Sequence, residues 1–224
     1  MPITWTKVWS GADDGTILKG IDLGNIQNDL ATVVESTDIG SAVQGYDDIL
    51  TELTDPQNIN PANLVKNGAF DTFTAPPTPD NWVVEGGGTQ AQDTTNVRIG
   101  ANSYAITSDA DGSASRQTIL ATISGTTNSY YRGKEVTLTA LVYTGVVNNA
   151  RIRVDDGADV SNSVYHSGTT GWEELTITHV IDGSATKLDV VLLVDGNTQT
   201  AKFDAVRLNL GPLSWQFVHH RSDP

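Results

Sequence analysis

From residue 135 onward the chain alternates apolar and polar side chains every two residues, in short segments that turn sequences separate. Such alternation places one set of side chains on each face of a β-strand, so that one face can be buried. The turns are rich in Gly, Asp and Asn, and no amphipathic helical pattern lies between the strands. We therefore predict a mainly β fold, an antiparallel β-sandwich (jelly roll). The predicted strands are 135–144, 150–156, 174–181, 187–195 and 201–210.

The composition excludes several classes of function. The 224-residue chain has no cysteine, which excludes disulfides, thiolate nucleophiles and cysteine-bound zinc. Its formal net charge is −14, and its longest basic cluster is the pair Arg151 and Arg153. Because such a chain is repelled by phosphate backbones, we expect no nucleic-acid partner. The chain has neither the apolar core of a signal peptide nor an apolar run of about 18 residues, so we expect neither signal-directed export nor membrane insertion.

Composition also divides the chain into zones. Residues 1–24 form an irregular segment with two tryptophans, and residues 25–54 carry apolar side chains at the spacing of two short helices. Residues 55–62 contain two prolines, which suits a linker. We expect the sandwich over residues 63–212 and a C-terminal tail over 213–224.

The helical zone carries a narrow apolar stripe. In "TDIGSAVQGYDDILTEL" (37–53) the apolar residues are spaced four, three, four and three apart, which is the pattern of coiled-coil association. A helix of this length is marginal alone in water and has to bury its stripe. Either copies of the chain meet along the stripe, or the helices pack on their own sandwich. The predicted seam consists of Ile26, Leu30, Val33, Ile39, Val43, Tyr46, Leu50 and Leu53.

Six motifs of the sandwich region follow one another in a familiar order. They are "NLVKNGAF" (63–70), "PDNW" (79–82), "GANSYAIT" (100–107), "YRGKEVTLTALVYTG" (131–145), "SVYHSGTTGWEELTITHVI" (163–181) and "KFDAVRLNLG" (202–211). This series resembles the jelly-roll carbohydrate-binding modules of the family 4/9/22 type, and domains of this shape are common in phage tail fibres and virion decorations. Separately, "IGSAVQGYDDILTEL" (39–53) resembles the "IG-x-x-VQ-x-YD-x-x-L" segments of phage tail-fibre proteins.

Together these resemblances imply a structural protein of a tailed-phage virion, assembled in the bacterial cytoplasm as a short tail fibre, a capsid fibre or a capsid decoration. Because such fibres are typically trimers, they also imply that the seam joins a homotrimer. The N-terminal segment would then dock on a tail adaptor or capsid protein, although it can equally cover the sandwich edge. The predicted docking residues are Trp5, Trp9, Ile17, Leu18, Ile21 and Leu23.

A glycan-binding adsorption module, recognising a host surface polysaccharide during host attachment, is the alternative function. Modules of this kind stack sugar rings on exposed aromatic side chains, so exposed tyrosines favour binding and buried ones favour a structural role. The predicted glycan face consists of Tyr104, Tyr143 and Tyr165. We expect Trp82 and Trp172 to pack in the core instead.

The module resemblance also implies one cofactor, a structural calcium ion, at Asp71 and Asp204. Calcium takes six to eight oxygen ligands, many of them backbone carbonyls, so two aspartates alone do not establish the site. We expect no catalysis. The sequence contains no G-x-S-x-G nucleophile elbow and no phosphate-binding glycine loop with its lysine, and no paired-carboxylate cleft is recognisable in it.

Overall fold

In a computed structural model of the chain, residues 63–110, 112–213, 216–220 and 223 are described. They belong to one compact unit, Asn60–Pro224. The docking and seam residues, and the helices predicted for 25–54, lie outside the described residues. The described part forms ten strands, β1 (Val83–Gly86), β2 (Thr89–Asp93), β3 (Ser103–Thr107), β4 (Ser113–Leu120), β5 (Glu135–Thr144), β6 (Ala150–Asp155), β7 (Val160–Asn162), β8 (Gly171–Val180), β9 (Leu188–Val194) and β10 (Thr200–Leu210), and a 3-10 turn, Ser129–Tyr131.

The ten strands form two antiparallel sheets of five strands each. Sheet 1 has the order β1-β4-β9-β6-β7, and sheet 2 has the order β2-β3-β10-β5-β8. Most connections carry the chain from one sheet to the other, as in a jelly roll. The prediction of a mainly β, antiparallel sandwich is therefore confirmed. Within the described residues, no helix is long and apolar enough to cross a bilayer.

The core lies between the sheets and follows from the two-residue alternation. In β6, Ala150, Ile152 and Val154 are fully buried, while the residues between them are partly exposed. An aromatic cluster fills the part of the core nearest to β1 and β3, where the ring centroids of Phe70 and Tyr104 lie 5.4 Å apart. Trp82 joins this cluster at 5.4 Å from Phe70, in agreement with the expected core position.

The central strand of sheet 1, β9, is buried on both of its faces. Leu188, Val190, Leu192 and Val194 point into the core. Val191 and Leu193 point away from it and are still only 4% and 8% exposed, because the longer side chains of the neighbouring strands cover them. The sequence of β9 is therefore continuously apolar from Val190 to Val194, as expected for a central strand that is buried on both faces.

Candidate functional site

The structure separates the three tyrosines predicted to form one glycan face. Tyr104 is fully buried in the aromatic cluster of the core, so its inclusion in a binding surface was wrong. Tyr143 lies on the outer face of sheet 2, and Tyr165 lies beside the outer face of sheet 1. Period-two alternation predicts which residues share a face of one strand. It does not say which face is buried when a strand has few apolar residues, and this is why Tyr104 was misplaced.

The outer face of sheet 2 carries a pair of aromatic rings. Tyr143 and Trp172 are directly opposite each other on β5 and β8, and their ring centroids lie 5.6 Å apart at an interplanar angle of 61°. Both side chains are half-buried. The expected core position of Trp172 was therefore wrong. Strand β8 begins at Gly171, earlier than predicted, and Trp172 shares its outward phase with Glu174 and not with the buried Leu175.

An ion pair continues this row of side chains across the sheet. Lys202 on β10 is opposite Tyr143, with its Nζ atom 5.6 Å from the ring centroid. The same Nζ atom lies 2.6 Å from Oδ2 of Asp93. Partial burial alone would raise the pKa of Asp93, but the Lys202 ammonium and two backbone N–H groups hold it below its ordinary value. We call Asp93, Lys202, Tyr143, Trp172 and Glu174 the aromatic face.

Beyond the aromatic face, the chain itself covers the outer side of β5 and β10 around Thr137 and Asn209. The hydroxyl of Thr137 donates to the carbonyl of Gly211 at 2.6 Å, and the amide of Asn209 donates to the carbonyl of Leu213 at 2.7 Å. Thr137 and Asn209 are consequently buried although they point outward. Residues 211–213 thus cover this part of the outer face and leave the side chains of the aromatic face accessible.

The predicted calcium ligand Asp204 is a buried carboxylate on β10. Its Oδ2 atom accepts the N–H groups of Arg98 at 2.7 Å and Ile99 at 2.9 Å, and its Oδ1 atom accepts that of Ala205 at 2.7 Å. Burial, together with a smaller effect of the neighbouring charge of Asp71, raises the pKa of Asp204 to about 6, although these N–H groups oppose the shift. Asp204 therefore holds the loop that precedes β3.

The same loop is held by the second predicted ligand. Asp71 is exposed, and its Oδ1 atom accepts the N–H of Ala101 at 2.7 Å. In the described part of the chain, no group of three or more His, Cys, Asp or Glu side chains comes together. Since Asp204 already accepts three N–H groups, a calcium ion at Asp71 and Asp204 would need backbone carbonyls for most of its coordination. The calcium site stays a prediction.

A serine, a histidine and an aspartate form a hydrogen-bonded series at one edge of the sandwich. The Oγ atom of Ser161 lies 2.8 Å from Nδ1 of His179, and Nε2 of His179 lies 3.1 Å from Oδ2 of Asp156. His179 belongs to sheet 2, whereas Ser161 and Asp156 belong to the β6–β7 hairpin of sheet 1. We call Asp156, Ser161 and His179 the sheet clasp. The sheet clasp was not predicted from the sequence.

The position of Ser161 decides what the sheet clasp can do. A nucleophilic serine has to reach its substrate. Val160 and Asn162 are the exposed residues of β7, and Ser161 points the other way, toward the buried ring of His179. Asp156 also accepts the N–H groups of Ala158, Asp159 and Asp182, at 2.6 to 2.8 Å. The contacts of the clasp join the two sheets and fix a turn.

The comparisons with known proteins concern the fold alone. No family model matches the chain, and no curated protein matches it. Among solved structures, the CBM22-1 xylan-binding domain of Paenibacillus barcinonensis Xyn10C is 13% identical, covers 69% of this chain and 98% of that one, and gives a TM-score of 0.50. A cyclase from Fischerella sp. TAU is 14% identical, with 69% and 98% coverage and a TM-score of 0.50.

A domain of tailspike protein 4 from bacteriophage CBA120 is also similar, with 15% identity, 67% of this chain covered and a TM-score of 0.49. The chain spans 22% of that tailspike chain. The likenesses to the xylan-binding domain and to the cyclase show that the described part has a β-sandwich fold of the kind found in carbohydrate-binding modules. Because one such fold is a binding domain and another is a cyclase, function has to be argued from the site.

Proposed function

We propose that the sandwich is a glycan-binding module that takes its ligand on the aromatic face and does not turn it over. The observation that carries this proposal is the pairing of Tyr143 with Trp172 on the outer side of sheet 2, beside the ion pair of Lys202 and Asp93. A flat ring matches the C–H face of a sugar, and a few fixed polar groups orient the hydroxyls. The similar fold of a xylan-binding domain makes xylan the first ligand to test.

The two rings and the ion pair have different roles in this proposal. The Lys202 ammonium lies over Tyr143, so Trp172 is the ring that stacks against sugar. Lys202 donates to a sugar hydroxyl, and Asp93, whose pKa is below its ordinary value, stays ionised at neutral pH and accepts from one. Glu174 adds a second carboxylate and is held by Arg207 at 3.0 Å. Because the ion pair of Lys202 and Asp93 is already formed, it orients the sugar hydroxyls at little additional entropic cost.

The replacement Trp172→Ala is expected to weaken glycan binding by at least about tenfold, because an aromatic anchor contributes about 2 kcal/mol or more to such an interface and about 1.4 kcal/mol corresponds to a factor of ten. The measurement is isothermal titration calorimetry of the full chain with the best ligand of a polysaccharide array that includes xylan. Val180→Ala is the matched control, since Val180 lies on the same strand, 58% exposed and far along it from Trp172. Equal affinities of Trp172→Ala and the unsubstituted chain, or no bound polysaccharide at all, would refute the proposal.

We also propose the wider setting, a tailed-phage virion to which the N-terminal segment attaches the module. This rests on the resemblance of residues 39–53 to tail-fibre segments and on their apolar stripe, all outside the described residues.

The double replacement of Val43 and Leu50 by Asp is expected to reduce the native mass from about three times 23.9 kDa to that of a monomer, because unpaired charges are costly at a packed seam. Light scattering after gel filtration measures this, and an unchanged mass would contradict the trimer.

A further inference from the structure

The outer face of sheet 1, opposite to the aromatic face, has an apolar floor under charged side chains. Val191 lies between Arg116 on β4 and Arg153 on β6, and Leu193 lies between Ala114 and Arg151 in the next row. Val191 and Leu193 are almost completely buried there, although they point away from the core. The stems of the arginines account for this cover, since long cationic side chains lie along apolar surface and keep their charged ends in water.

Most charges on this face are paired. The Arg116 guanidinium is bound by Glu85, and the Lys187 ammonium lies 2.8 Å from Asp155 and 2.7 Å from Asp189. These pairs hold β1, β4, β9 and β6 together and leave little net charge at that side of the face. A charged ligand would have to displace partners there.

Arg153 differs from Arg116 and Lys187 in the partner that its side chain binds. Its Nε atom donates to Oδ1 of Asn162 at 2.8 Å, and within the described part of the chain it forms no salt bridge. Its side chain is half-buried. The guanidinium is thus held in one orientation by a neutral partner, while its other N–H groups have no carboxylate to neutralise their charge. An arginine kept in this way is prepared to bind an anion.

Arg151 is the neighbour of Arg153 on the same side of β6, two residues or about 7 Å along the strand. Its guanidinium lies 4.6 Å from the ring centroid of Tyr165 and 3.3 Å from Asp195. The Tyr165 hydroxyl donates to Asp195 at 2.6 Å, and this bond raises the pKa of Tyr165. We call Arg151, Arg153, Asn162 and Tyr165 the arginine face.

We propose that the arginine face binds a carboxylate-bearing polysaccharide, a chain of uronic acids. Arg153 takes the carboxylate, Arg151 and Asn162 donate to neighbouring oxygens, and the floor of Val191 and Leu193 supports the arginine stems from below. Bidentate pairing of a guanidinium with a carboxylate supplies the recognition.

The test is calorimetric titration of the full chain with polygalacturonate and with its methyl ester, which has the same sugar ring without the charge. Binding of the acid form and at least tenfold weaker binding of the ester are expected. Arg153→Gln should lose at least tenfold in affinity for the acid form, and Arg153→Lys should lose less because the charge is kept. Arg98→Gln is the matched control, because it removes the same charge from an exposed loop residue, and it should stay within twofold.

The outcomes separate this inference from the proposal for the aromatic face. Trp172→Ala should bind polygalacturonate as well as the unsubstituted chain, and Arg153→Gln should keep its affinity for a neutral glycan. Absence of binding to polygalacturonate, equal binding of acid and ester, or an unchanged affinity in a folded Arg153→Gln variant would each overturn the inference. Circular dichroism of the variants establishes that they are folded.

Discussion

Replacing Asp156 with alanine is expected to lower the free energy of unfolding by about 4 kcal/mol. The replacement removes the acceptor of three backbone N–H groups and the partner of His179, all at a buried position. A donor left without its partner at a buried position costs about 1–3 kcal/mol, and Asp156→Ala removes the partner of several donors at once. Urea denaturation followed by tryptophan fluorescence measures the loss. The result follows from the sheet clasp holding the two sheets together at this edge.

Asp159→Asn is the matched control for this prediction. Asp159 lies in the same turn, is exposed, and its carboxylate accepts only the N–H of the next residue, Val160, at 2.8 Å. Its replacement is expected to change the free energy of unfolding by no more than about 0.5 kcal/mol. A loss of less than 1 kcal/mol for Asp156→Ala, or equal losses for the two variants, would show that the clasp does not stabilise the fold.

The contribution of Asp156 also has a definite pH dependence. Burial alone would raise its pKa, but three backbone N–H groups and His179 hold the pKa below the ordinary value of 3.8. Because the folded pKa is lower than the unfolded one, the stabilisation is present above about pH 4 and is lost as the pH falls through the folded pKa. The difference in stability between the unsubstituted chain and Asp156→Ala should therefore shrink between pH 5 and pH 2.

The second large effect concerns Asp204, whose pH dependence has the opposite sign. Its pKa is raised to about 6 from 3.8, so the folded chain binds this proton more tightly than the unfolded chain does. The contribution of Asp204 to the free energy of unfolding is largest below about pH 4. It declines by roughly 3 kcal/mol as the pH rises to about 6. Carbon-13 NMR of the Asp204 carboxyl group should show a midpoint near pH 6.

Calcium and Asp71 provide the controls for Asp204. Asp71→Ala removes a like charge and is expected to lower the midpoint of Asp204. A bound calcium ion would keep Asp204 ionised and move the midpoint well below 6, so a titration with and without calcium tests the predicted metal site directly. A midpoint at or below 3.8 in the absence of calcium would contradict the burial of this carboxylate as described.

The strands with regular alternation could be predicted from the sequence, and the short polar ones could not. Strand β5 begins and ends at the predicted residues, Glu135 and Thr144. Strand β2, with the sequence TQAQD, is an edge strand without a large apolar residue, so it carries no alternation to detect. Pairing with β3 makes it a strand, and that partner is known only from the fold.

The candidate sites, like the strands, could be predicted from the sequence only in part. Tyr143 could be chosen from its place on β5, but its partner Trp172 was assigned to the core by the resemblance to carbohydrate-binding modules, and the predicted strand began two residues after it. The sheet clasp joins residues that are 18 and 23 positions apart, and the fold alone brings them together. One sequence signal was available, since His179 shares the phase of the buried Leu175 on β8 and is therefore directed inward.

Locating the ligand on the protein tests whether glycan binds on the outer side of sheet 2 at Trp172. A ¹⁵N-labelled full chain titrated with the best neutral oligosaccharide, followed by TROSY NMR, reports every indole N–H group separately. The indole signal of Trp172 and the amide signals of β5 and β8 around Tyr143 are expected to shift, while the indole signal of the core residue Trp82 is not. Shifts confined to other surfaces, with the signals of Trp172 and Tyr143 unchanged at saturation, would contradict it.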